Sequence, residues 1–138
     1  MRKIFALAIL VALGFTPVFA GSAMAQKKQA PKPVWGAMVG GLSDIQSITA
    51  ALSVFDMKRA ATIADTLAGR ETYISNIAAL PEVVRKGHGK VAAEAKILAD
   101  FARSGEEDKI ARQIGAVLAA CSACHYNVRD AQRRKKME

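Results

Sequence analysis

The sequence predicts an all-α protein, an up-down-up-down four-helix bundle, and three observations lead there. From Val34 onward apolar residues recur at steps of three and four, the period of a helix with one buried face. No segment alternates strictly at a period of two, and no Asn-Gly or Asp-Gly pair offers a hairpin turn. The breaks between periodic stretches are mostly short, which makes consecutive helices antiparallel neighbours.

Met38, Leu42, Ile45, Ile48, Leu52 and Phe55 define the first helix. Asp56 is placed to cap a second, which carries Ala60, Ile63, Leu67, Ile74 and Ile77 inward until Pro81 stops it. Lys86-Gly87-His88-Gly89-Lys90 has two glycines in three residues and predicts a surface loop or a frayed helix start. Val91, Ala95, Leu98 and Ala102 form the third helix. Ser104-Gly105-Glu106-Glu107 has the Ser-x-x-Glu form of a capping box and opens a long fourth helix. Ile110, Ile114, Val117, Cys121, Cys124 and Val128 fall on one stripe of it. High alanine content and only 6% aromatic residues let such helices approach closely and leave the centre short of bulk. A large apolar cofactor would supply that bulk; an ordinary alanine-rich bundle fits the same composition.

The N-terminus reads as a signal peptide. Arg2 and Lys3 precede the apolar run from Ile4 to Phe15, Pro17 interrupts, and Ala23-Met24-Ala25 is a small-x-small cleavage site. The run is short for a membrane span, which needs about 20 residues; cleavage after Ala25 is expected in preference to a retained anchor. Residues 26–33 are polar and proline-bearing, a flexible lead-in to a domain over 34–138. The chain's formal charge of +8 falls to +6 when Arg2 and Lys3 are removed. Four cations cluster as Arg133-Arg134-Lys135-Lys136. They suit the negative pole of a helix end, or a docking patch for an acidic partner. No nucleic-acid motif is present, and no membrane span is expected once the leader is cleaved.

Cys121-Ser122-Ala123-Cys124-His125 is the C-x-x-C-H pattern of covalent haem attachment. Residues three and four apart share a helix face, so both thiols and the imidazole are expected on one side. The thiols would form thioethers with the two haem vinyl groups, and His125 would be the proximal iron ligand. These are the chain's 2 cysteines, and both fall inside the motif. Three other readings compete less well. A redox-active disulfide belongs in a βαβ setting that is lacking here. Zinc needs four ligands, and adjacent Cys124 and His125 would strain its tetrahedron. Two cysteines serving only as small buried residues would be coincidence beside an export signal.

With this motif late in the last helix, the sequence resembles the cytochrome c-prime class of four-helix-bundle c-type cytochromes. The resemblance covers the mature chain as architecture and rests on Cys121, Cys124, His125 and Arg129. Arg129 matches a basic position of the class. It is either a contact on the proximal side of the haem or a solvent-facing arginine. The segment 81–90 is shorter than in many members and has no tryptophan; Trp35 stands at the start of helix one.

The resemblance implies one haem c, export to the periplasm, redox partner proteins and, in many members, a homodimer through the first two helices. It also assigns the sixth iron position to the first helix, where Met38 stands. With methionine on the iron the protein would be a low-spin carrier of single electrons. With Met38 as a core filler it would be five-coordinate and bind a small gas such as nitric oxide. Gly36, Gly40 and Gly41 around Met38 are expected to admit something bulky, such as a porphyrin. His88 is a poor ligand candidate if its glycine-flanked site is a surface loop. No distal histidine or arginine in helix one points to peroxide catalysis, so the chain reads as a carrier, not an enzyme.

Overall fold

The computed structural model describes residues 31–138. The expected leader over 1–25 and the lead-in before residue 31 lie outside the described residues. Four helices and no strand occur among the described residues: α1 (Lys32–Ser53), α2 (Met57–Ser75), α3 (Glu82–Ser104) and α4 (Glu107–Arg134). They form a four-helix bundle joined through 54–56, 76–81 and 105–106.

Helix α1 starts at Lys32, before the expected Val34, because Pro33 in the first turn needs no N–H partner. It ends at Ser53, and the chain reverses through Phe55, whose φ of 57° lies in the left-handed region. Phe55 and Leu42, expected inward, are instead 73% and 62% exposed. Phe55 belongs to the turn rather than the helix, and Leu42 sits on a flank of α1 that no other helix covers. Asp56 caps α2 as expected, its carboxylate accepting the Arg59 N–H at 3.0 Å. Helix α2 ends at Ser75, well short of Pro81.

The third helix departs most from the sequence reading. It begins at Glu82, with Pro81 extended before it at ψ 143°, so 86–90 is helix and not loop. Tertiary contacts of Gly87 and His88, described below, override the two glycines. Gly105, at φ 71°, ends α3. The capping box does not form. Ser104 closes α3, and its hydroxyl engages Phe101 O at 3.1 Å and Glu106 Oε1 at 2.9 Å. Helix α4 follows from Glu107, with Glu107 and Asp108 suiting the positive end of its dipole.

Each helix packs on its neighbour in sequence: α1 on α2, α2 on α3, α3 on α4. No Cα of α1 comes within 8 Å of one in α4. Polar links cross each interface: Arg70 to Asp44, Arg103 to Asp65, and Gln113 to Glu94 at 2.7 Å. Side chains of all four helices meet in a main core around Ile48, Leu67, Leu98, Ile110 and Val117, with Ala60, Ala64, Ala95 and Ala99 letting the backbones close in. Burial of each larger side chain contributes about 1.5–3 kcal/mol. A second, smaller cluster holds Val34, Ala37, Ile74 and Leu80 at the end where α1 and α3 begin. No helix among the described residues is long and apolar enough to cross a membrane.

Candidate functional site

The C-x-x-C-H motif lies within α4, at the same end of the bundle as the start of α1. Cys124 is buried, Cys121 half-buried and His125 exposed. Both thiols are free. The expected common face is therefore an arc: steps of 100° per residue carry it from the α3 contact at Cys124, through Cys121, to the open flank at His125. Ala120, Ala123, Cys124 and Asn127 line a groove against Gly87 and Lys90 of α3. Ile114, Leu118, Cys121 and His125 recur at helical spacing on the other flank of α4. That flank faces round toward α1, although no Cα of α1 comes within 8 Å of one in α4.

Helix α1 mirrors this arrangement. Gly40 and Asp44 lie by Arg70 of α2, so the opposite flank carries Met38, Leu42 and Ile45. Two apolar flanks, one bearing the motif, thus border the side of the bundle where two helices make no close backbone approach. The glycines have a different role from the one expected. Cβ atoms at Gly40 and Gly41 would stand 2.7 Å from Arg70 Cζ and 3.4 Å from Leu67 Cδ1, so these residues admit α2. Gly36 has nothing within 4 Å of a Cβ.

Met38 is half-buried and packs on the smaller cluster of Val34, Ala37, Ile74 and Leu80, together with Ile77 and Val84. No residue of α4 belongs to that cluster. Arg129 is exposed, one turn beyond His125.

The sequence reading missed a buried polar pair. Glu71 on α2 and His88 on α3 are 4% and 6% exposed, and the His88 Nδ1 makes a short contact with Glu71 Oε2. His88 is thus an interior residue and not a surface one. The pair separates the two apolar clusters: Leu67 and Val91 lie in the main core, Ile74 and Val84 in the smaller one. Its neighbours are the motif. A Cβ at Gly87 would meet the Cys124 sulfur, and burial followed by the Glu71 charge pushes both thiols above their ordinary range. Arg85, one turn before His88, keeps its Nε buried with no hydrogen-bond partner among the described residues. Two residues seventeen apart, each unremarkable on its own helix, gave no sequence signal; only an acid on the inward stripe of α2 hinted at a partner.

Among the described residues no three His, Cys, Asp or Glu side chains form a cage for a bare metal ion. The donor set does fit a haem. Two free thiols stand one turn apart, an adjacent imidazole is unbonded among the described residues, an apolar flank lies across from them, and an orphaned guanidinium nitrogen suits a carboxylate-bearing group. Comparison with protein-family models, with curated proteins and with solved structures found no match to this chain.

Proposed function

We propose that this chain is an exported c-type cytochrome, similar to the cytochrome c-prime class, that carries single electrons in the periplasm. The observation that supports it best is the Cys121-x-x-Cys124-His125 arc on α4, running from the α3 contact at Cys124 to the flank bearing His125, in a chain with an export-type N-terminus. Cys121 and Cys124 would each add S–H across a vinyl double bond, giving two thioethers with no atom lost. His125 would hold the iron through an imidazole nitrogen. The bound haem supplies one iron that alternates between the ferrous and ferric states. The chain's own part is to hold, orient and partly desolvate that group. Arg133, Lys135 and Lys136 make no ion pair among the described residues, whereas Arg134 pairs with Asp130. Such free cations near the motif suit docking of an acidic redox partner.

The position of Met38 in an aliphatic cluster without α4 residues supports a second reading. An iron with no second protein ligand would bind a small gas such as nitric oxide. The two readings share the attachment chemistry, so that chemistry is tested first. Denatured protein should keep its haem stain on a gel and gain the mass of one haem, and replacing Cys121 and Cys124 with alanine should abolish both. A stain that survives the double replacement overturns the proposal.

A further inference from the structure

The pair Glu71–His88 is not accounted for by attachment. If haem is bound at Cys121 and Cys124, it lies close to this pair, because Gly87, the residue before His88, adjoins the Cys124 sulfur. We propose that His88, oriented by Glu71, would be a second protein ligand to the haem iron alongside His125, with Met38 a packing residue. This rests on the cytochrome reading above.

The argument is one of orientation. In a neutral imidazole whose Nδ1–H is donated to a carboxylate, Nε2 carries the lone pair. Iron-group and zinc-binding histidines are held in this way, the carboxylate fixing the ring and raising the basicity of the free nitrogen. His88 Nε2 has no hydrogen-bond partner among the described residues; its only side-chain bond is from Nδ1 to Glu71. The ring is buried and sits on the helix that touches Cys124. Met38 lacks each of these features: it is held among aliphatic side chains of α1, α2 and the chain around α3's start. A histidine and glutamate buried between two apolar clusters are a costly way to fill a core, and ligation gives the unpartnered lone pair a use.

Spectroscopy of the full-length, exported protein tests this directly. The oxidised protein should give the low-spin electron paramagnetic resonance and near-infrared signature of two imidazoles. The far-red band of sulfur-to-iron charge transfer should be missing. Met38→Ala should leave the spectrum unchanged. His88→Gly should turn the iron high-spin and open it to carbon monoxide, and added imidazole should restore the low-spin state. Glu71→Gln should keep the low-spin state and raise the reduction potential, since the weaker acceptor makes His88 a poorer donor to ferric iron. If His88→Gly fails to fold, the spectrum of the unaltered protein still decides. A sulfur band lost in Met38→Ala, or a high-spin iron in the unaltered protein, overturns the assignment while leaving the cytochrome reading intact. A protein without covalent haem overturns both.

Discussion

Gly87 and Cys124 are matched across the α3–α4 interface: a Cβ on Gly87 would overlap the Cys124 sulfur and stand 2.9 Å from its Cβ. The two residues that looked least helical in the sequence, Gly87 and its neighbour His88, are held by contacts from other helices.

Gly87→Ala should destabilise the bundle. Overpacking costs about 1–3 kcal/mol, more than the helix propensity gain of about 1 kcal/mol. Gly69→Ala and Gly115→Ala should instead stabilise by about 0.5–1 kcal/mol, because nothing lies within 4 Å of a Cβ at either position. Urea denaturation of the three variants separates the cases. An equal gain at Gly87 would show that α3 and α4 do not meet there.

Removing one member of the Glu71–His88 pair should be worse than removing both. Glu71→Ala leaves a buried imidazole without its partner, a loss of about 2–4 kcal/mol. Glu71→Met with His88→Leu joins the two apolar clusters and should recover most of that loss. Urea midpoints of the haem-free single and double variants would check it. Additive single and double effects would mean the contact carries no coupling.

Both motif thiols are pushed up by burial first and by the Glu71 charge second. In protein lacking haem, a raised thiol means the folded state keeps its protons to higher pH than the unfolded chain. Stability should therefore be unaffected below the unfolded thiol range, near pH 8.5, and fall as pH rises through it toward the folded value. Replacing both cysteines with alanine should flatten that slope. Glu71→Gln should speed alkylation of Cys121 and Cys124 at fixed alkaline pH.

Phe55 is an exposed, non-glycine residue at φ 57° in the α1–α2 turn. Asparagine tolerates this conformation better, and Phe55→Asn should raise stability by about 0.5 kcal/mol. A thermal melt that shifts downward would mean the ring makes contacts its exposure does not show.

The helix period made α1, α2 and α4 legible, because their inward residues are apolar and regularly spaced. Local cues failed where a distant residue decided. Gly87-His88-Gly89 resembles a break until Cys124 and Glu71 are beside it. Ser104 and Glu107 have capping spacing, but Gly105 terminates α3 between them. Leu42 looks like core from its spacing alone, yet it lies on the uncovered flank. The motif itself was plain in the sequence; the buried pair beside it was not, because its members lie on different helices.

The absence of close backbone approach between α1 and α4 also bears on how the chain folds. Every helix pairing is between sequence neighbours, so each native interface closes only a short loop, and chains with such local contacts fold fast, in microseconds to milliseconds. The same topology leaves the first and last helices each with close backbone contact to one partner alone. The amides of α1 and α4 are therefore expected to open to hydrogen exchange ahead of those of α2 and α3, which are each clasped on two sides.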